Sequence, residues 1–126
     1  MIDHTWTNLP VKDLGKSKAF YEAIGFEIQT QPENEHELFA ARTSSSNVIM
    51  LIHETRFAHF AQSELTQHHA NALISISVND KHTFHQLMEN VSKSGGEIKV
   101  AGEMSYGYYG GVFTDIDGHH FNVIVM

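Results

Sequence analysis

The chain has 126 residues, a length that suits one compact domain. The sequence contains no cysteine, which excludes a disulfide scaffold, a thiolate zinc site and a cysteine nucleophile. Fifteen acidic residues against eight basic ones give a formal net charge of −7, so we expect no nucleic-acid partner. No apolar run approaches the roughly 20 residues of a membrane span, and no secretory signal is visible. We therefore expect a cytoplasmic protein with no membrane partner.

The first half of the sequence predicts a β-α-β-β-β unit. Asp13 stands where a helix N-cap is expected, and Gly25 supplies the stop. The predicted apolar stripe of this helix consists of Phe20, Ala23 and Ile24. Apolar and β-branched runs separated by polar turns predict strands at residues 5–11, 26–30, 37–43 and 47–53.

The segment 54–71 joins the two halves and is too long for a tight turn. Phe57, Phe60 and Ala61 recur at i, i+3 and i+4, which predicts a short helix. This helix is either a linker that packs its aromatic side chains onto a sheet or a lid over a binding site.

The second half predicts the same order of elements. Asp80 is the expected N-cap and Gly95-Gly96 the expected exit of a helix. The apolar face of this helix consists of Phe84, Leu87, Met88 and Val91. Strands are predicted at residues 72–78, 97–101, 109–114 and 121–126. Gly110-Gly111 indicates a bulge or a close approach, and Asp117-Gly118 indicates a hairpin turn.

The two halves also match as a repeat, because Val11, Asp13, Phe20 and Glu22 stand 67 positions before Val78, Asp80, Leu87 and Glu89. Together with the segments 8–14, 17–21, 25–26 and 113–119, this pattern resembles the vicinal oxygen chelate superfamily. That superfamily includes glyoxalases, bleomycin-resistance proteins and extradiol dioxygenases. The resemblance implies a single α+β domain in which two βαβββ repeats form curved mixed sheets around a cleft, with the helices outside. Repeat one spans about 4–53, the linker 54–71, and repeat two 72–126.

The resemblance also bears on metal binding. Catalytic members of the superfamily hold one divalent metal at four inward-facing strand positions, usually with His, Gln or Glu. The matching positions here are Trp6, Met50, Leu73 and Asn122. All four depart from the pattern, so we expect no cofactor. The alternative is a divalent-metal site built from His4, His53 and His120.

Strand alternation predicts an apolar binding pocket with a few neutral polar groups. Arg42 either meets an anionic group or pairs with a glutamate. Tyr106, Tyr108 and Tyr109 form either an aromatic rim for a ligand or part of a dimer interface. The predicted ligand-binding residues are Trp6, Asn8, Arg42, Met50, Leu73, Ser75, Tyr106, Tyr109, His120 and Asn122.

These observations lead to a hypothesis about function. We expect a metal-independent small-molecule binding protein of the glyoxalase/bleomycin-resistance type, acting in sequestration or resistance. The first alternative is a divalent-metal lyase, isomerase or dioxygenase with non-standard ligands. The second is an interaction module whose cleft is filled by its own side chains. Each half leaves a sheet edge to cover, so we also expect a homodimer.

Overall fold

The computed structural model describes residue 1 and residues 4–44, 47–62 and 72–126. The chain divides into two compact units, Met1–Thr66 and Gln67–Met126, called here the N-terminal and C-terminal units. Each unit contains a four-stranded mixed sheet with a helix packed on one face. The sheet face away from that helix is called the open face of the unit.

The N-terminal unit has the predicted β-α-β-β-β order followed by a short helix. Its elements are β1 (Thr7–Val11), α1 (Leu14–Ile24), β2 (Glu27–Gln29), β3 (Leu38–Arg42), β4 (Val48–His53) and α2 (Glu54–Ala61). The strands lie in the order β1-β4-β3-β2. β1 runs parallel to β4, and the other neighbouring pairs are antiparallel.

Helix α1 begins and ends where the sequence predicts. The Asp13 side chain accepts a hydrogen bond from the backbone N–H of Lys16 at 3.0 Å, and Gly25 ends the helix with a φ of 115°. The buried face differs in part from the predicted stripe. Phe20 and Ile24 are buried as expected, but Ala23 is exposed, and that expectation was wrong. The rest of the buried face consists of Ser17 and Tyr21.

The C-terminal unit repeats the arrangement. Its elements are β5 (Leu73–Val78), α3 (Lys81–Lys93), β6 (Glu97–Ser105), β7 (Tyr108–Thr114) and β8 (His120–Val125). The strands lie in the order β5-β8-β7-β6, with β5 parallel to β8. Helix α3 buries Phe84, Met88 and Val91. The facing side of the sheet supplies Phe113 and Phe121, whose rings stack with centroids 5.0 Å apart.

Strand β6 is longer than the sequence predicts. It continues past Ala101 to Ser105 and joins β7 through a two-residue turn at Tyr106 and Gly107. Both turn residues have positive φ, 50° and 85°. This is the geometry of a primed hairpin turn, whose twist matches that of the flanking strands.

The architecture confirms the α+β prediction of two β-α-β-β-β repeats. Helix α3, with 13 residues, is the longest helix, and no helix in the described ranges is long and apolar enough to cross a membrane.

Candidate ligand-binding site

An apolar pocket lies on the open face of the N-terminal unit. Its floor follows the register of β1, β4 and β3, in which Asn8 is opposite Met50, and Leu38 is opposite Ile52. The pocket has a volume of about 600 Å³, which falls within the range of small-molecule sites. Its lining consists of Trp6, Asn8, Leu38, Met50, Ile52, Phe57, Phe60 and Ala61. The sequence-predicted residues Trp6, Asn8 and Met50 are therefore brought together.

Helix α2 forms one wall of this pocket. It packs against β1 and β4, and its Phe57 and Phe60 side chains line the cavity. The predicted short helix is confirmed over Glu54–Ala61, while residues 63–71 of the joining segment lie outside the described residues. The helix thus combines features of both interpretations, because its aromatic side chains face the sheet and also border a cavity.

Three side-chain contacts involve α2. The Nδ1 atom of His53 accepts a hydrogen bond from the backbone N–H of Thr55 at 3.3 Å and so caps the helix. The Arg56 guanidinium lies 4.6 Å from the ring centroid of Phe60, and its Nε lies 3.5 Å from Glu37. Arg56 and Phe60 both belong to α2, so of these three contacts it is the one with Glu37 that joins the helix to the segment before β3.

Arg42 lies on the same sheet but does not belong to the pocket lining. Its guanidinium donates a hydrogen bond to Oε1 of Gln29 at 3.1 Å. Within the described residues it forms no ion pair with a glutamate, so the structure does not show the pairing that the sequence left open.

The open face of the C-terminal unit carries the polar residues that the sequence predicted. Ser75 lies opposite Asn122 and donates a hydrogen bond to its Oδ1. His120 pairs with Leu73 in the same register and is half-buried. Its Nδ1 atom is buried with no hydrogen-bond partner among the described residues. Strand pairing thus brings Leu73, Ser75, His120 and Asn122 onto one surface.

A second, smaller pocket of about 260 Å³ lies on this face. It extends from Asn122 on β8 across Gly110 on β7 to Glu103 on β6. Tyr106 and Tyr108 border the pocket near the β6–β7 turn. The predicted Tyr106 and Asn122 therefore lie in one pocket of this unit.

Tyr109 occupies the opposite face of the sheet, which corrects the expectation that it shares a rim with Tyr106. Its ring packs edge-on against Phe84 of α3, and Lys81 lies 4.5 Å from its centroid. Its hydroxyl lies 3.4 Å from Nε2 of His85. Because neighbouring residues of a strand point to opposite sides, Tyr108 and Tyr109 cannot both face the open side.

Glu103 was missed because the second strand of this half was predicted to end at Ala101, four residues before β6 ends at Ser105. Val100 and Glu103 are three residues apart, yet they pair with Val112 and Gly110, which share one face of β7. An irregularity at Gly102, whose φ is 147°, accommodates the extra residue. A glycine inside a strand pattern is the available signal for such a bulge.

Comparison with known proteins agrees with this architecture. The family model described as "Bleomycin resistance protein-like N-terminal" matches residues 4–36. The chain is 35% identical to the hypothetical protein SA1046 from S. aureus, covering 100% of this chain and 95% of that one, with a TM-score of 0.93.

More distant structures share the fold. A glyoxalase-related enzyme from Fulvimarina pelagi is 18% identical, with 99% and 89% of the two chains covered and a TM-score of 0.84. A bleomycin resistance determinant encoded on the transposon Tn5 is 16% identical, with 98% of each chain covered and a TM-score of 0.66. The chain therefore has the fold of glyoxalase-related and bleomycin resistance proteins, and its N-terminal segment matches the bleomycin resistance family model. No curated protein matches the sequence.

The superfamily's divalent metal does not fit the residues found here. The four corresponding positions hold Trp6, Met50, Leu73 and Asn122, which offer an indole N–H donor, a thioether, an alkyl group and a neutral amide. Of these, only the amide oxygen suits a hard cation, and it already accepts from Ser75. Across the described residues, no group of three or more His, Asp or Glu side chains is placed to hold a metal.

The histidines proposed as alternative ligands have other surroundings. His4 is exposed, and the Nδ1 atom of His53 serves as the cap of α2. His120 belongs to the other unit. Neither unit by itself therefore assembles the alternative metal site in its described residues.

Proposed function

We propose that this protein binds a small, neutral, largely aromatic or apolar molecule in the N-terminal pocket without a metal. The observation that carries the proposal is the chemistry of the lining. Seven of its eight residues are apolar or aromatic, and the eighth, Asn8, offers one neutral amide. Trp6 and Met50 supply a stacking surface that adapts to planar ligands.

The same lining favours a neutral ligand over an ion. Within the described residues, no charged side chain lines the pocket. A buried ion without a partner costs several kcal/mol of desolvation, whereas apolar contact contributes roughly 25 cal/mol for each Å² removed from water. A charged group of the ligand would therefore remain outside this pocket.

Sequestration is the physiological role that we propose for this binding. The similarity to a bleomycin resistance determinant supports it, as does the misfit of the metal-ligand positions. A homodimer and a cytoplasmic location remain predictions.

The experiment uses Trp6, because it is the only tryptophan of the chain and lines the pocket. We would titrate metal-free protein with the neutral dye N-phenyl-1-naphthylamine, and separately with bleomycin, while following tryptophan fluorescence. The Met50→Lys variant places a charge in the pocket and should weaken dye binding at least about tenfold, a loss of roughly 1.4 kcal/mol. The matched Met104→Lys variant changes an exposed residue of the other unit and should bind normally.

Three results would contradict the proposal. Absence of binding of both compounds would favour an interaction module with a filled surface. Binding that requires added Zn²⁺, Ni²⁺ or Mn²⁺ would favour the metal-dependent alternative. Chemical change of the ligand, detected by mass spectrometry after incubation, would show an enzyme rather than a sequestering protein.

A further inference from the structure

The smaller pocket on the C-terminal unit has a different chemistry from the apolar one. Its floor is Gly110, which lies between Glu103 on β6 and Ile124 on β8 in the sheet register. An ideal Cβ at Gly110 would lie 2.5 Å from the carbonyl oxygen of Val123. Because Gly110 has no side chain, β8 can approach closely. The same lack of a side chain leaves a depression on the open face.

Glu103 places a carboxylate at the edge of this depression. Its strand neighbour across the hairpin is Gly110, so no opposing side chain covers it. Ser105 and Tyr108, two cross-strand pairs further along, add two hydroxyl groups to the lining. The Tyr106 ring lies in the turn above them and is fully exposed.

In residues 72–126, the described part of this unit, the carboxylate of Glu103 has no cationic partner. Residues 72–126 contain three basic residues apart from histidine, and each one is engaged elsewhere. Lys81 lies over the Tyr109 ring on the α3 side, and Lys93 and Lys99 pair with Glu89 and Glu97 at 2.8 Å. Within the described residues, Glu103 itself forms no ion pair.

We infer that this pocket is a subsite for the ammonium group of a small amine. A carboxylate beside two tyrosine rings attracts a cation by charge and by the negative faces of the rings. The hydroxyls of Ser105 and Tyr108 can accept the remaining ammonium hydrogens. The net charge of −7 also favours a cationic ligand.

Other ligand classes suit the pocket less well. A calcium ion takes 6–8 oxygen ligands, often with several carboxylates, whereas this pocket offers one carboxylate. An anion would be repelled by Glu103. A neutral ligand would displace water from the carboxylate without replacing its hydrogen bonds, which costs free energy.

This inference does not rest on the proposed function, because the residues that carry it belong to the other unit. The test is an amide-resolved NMR titration with benzylammonium, using benzyl alcohol and benzoate as the neutral and anionic analogues. We expect benzylammonium to shift the amide signals of Gly110, Val112 and Asn122, with little shift from benzoate. Raising the salt concentration should weaken the binding, because the charges are exposed.

Two variants separate the carboxylate from general effects of charge. Glu103→Gln should weaken benzylammonium binding about fivefold, the upper range for an exposed ion pair. Glu22→Gln, an exposed change of the same net charge on α1, should leave it unchanged. Tyr108→Leu should weaken it about threefold while the spectrum remains folded.

Several outcomes would overturn the inference. Equal binding of benzyl alcohol and benzylammonium would show an aromatic pocket without cation recognition. Unchanged affinity in Glu103→Gln would remove the carboxylate from the site, and shifts confined to other residues would place the amine elsewhere. A change of oligomeric state in Glu103→Gln would assign the carboxylate to a contact between copies. None of these outcomes alters the Trp6 fluorescence test.

Discussion

The Ser75 hydroxyl donates a hydrogen bond to the side-chain carbonyl oxygen of Asn122, across the parallel pair of β5 and β8. This contact engages the oxygen of Asn122 and leaves its amide hydrogens available to a ligand. The position at which the resemblance implies a metal-binding glutamate is therefore a neutral hydrogen-bonding group in this protein.

Restoring that glutamate should not create a metal site. In Asn122→Glu, one new carboxylate would stand with Trp6, Met50 and Leu73, none of which offers a good donor for a divalent ion. A metal at 100 times its dissociation constant stabilises a folded protein by about 2.7 kcal/mol, so binding would be plain in a melting curve. We expect Zn²⁺, Ni²⁺, Mn²⁺ and Fe²⁺ to shift the melting temperature of this variant by less than about 1 °C.

Wild-type protein, purified without a tag or chelator, is the control for this titration. A saturable rise in melting temperature in either protein would contradict metal-independent binding. His120, whose Nδ1 atom has no partner among the described residues, would then be the first ligand to replace.

Local signals made most of the fold predictable from the sequence. Asp13 and Asp80 cap their helices, and Gly25 and Gly95 adopt the positive φ expected at the helix exits. Each of these roles depends on a few neighbouring residues, so it can be recognised without knowledge of the rest of the chain.

The candidate site was less predictable, because it depends on strand pairing. The Tyr106-Gly107 turn lacks the Asn-Gly or Asp-Gly sequence typical of a two-residue hairpin, so β6 was ended too early and Glu103 was missed. Tyr109 was grouped with Tyr106 on a rim, whereas alternation along β7 places it against α3. Trp6, Asn8 and Met50 were grouped correctly, because regular alternation along β1 and β4 places them on one face.

The N-cap of α3 predicts a pH dependence of stability. Asp80 accepts a hydrogen bond from the backbone N–H of Thr83 at 2.8 Å, which lowers the pKa of Asp80 below its ordinary value of 3.8. The carboxylate is thus stabilised in the folded state. The contribution of the charged Asp80 cap to stability is complete above the pKa that Asp80 has in the unfolded chain. It is lost as the pH falls through the lower pKa that Asp80 has in the folded protein.

Two variants isolate this effect. Asp80→Ala should lower the melting temperature at pH 7 by about 3–5 °C through loss of the cap. Asp80→Asn keeps a good capping side chain that does not titrate, so it should lose less stability than wild type between pH 5 and pH 3. Urea unfolding at each pH measures the difference, and parallel curves for wild type and Asp80→Asn would contradict the prediction.

Gly110 should tolerate no side chain. In Gly110→Ala the new methyl group would meet the backbone carbonyl of Val123, which cannot rotate away as a side chain can. We expect a loss of about 1–3 kcal/mol in the free energy of unfolding, measured with urea.

Gly15→Ala is the matched control. Its new Cβ would lie 3.5 Å from Oδ1 of Asp13, an ordinary contact, and alanine favours a helix over glycine by up to about 1 kcal/mol. The same substitution should therefore stabilise one unit and destabilise the other. An unchanged free energy of unfolding in Gly110→Ala would contradict this prediction, because it would mean that β7 and β8 can move apart at little cost.

In each unit the first strand pairs with the last, β1 with β4 and β5 with β8, so neither sheet is complete until its final strand exists. During synthesis, the N-terminal sheet can close once residue 53 has left the ribosome, whereas the C-terminal sheet must wait for residue 125. β8 is an interior strand, and β5 has no other neighbour in the sheet. For most of its synthesis, the nascent C-terminal half therefore has an unpaired β5. During that time α3 also lacks the part of its packing surface that β8 supplies.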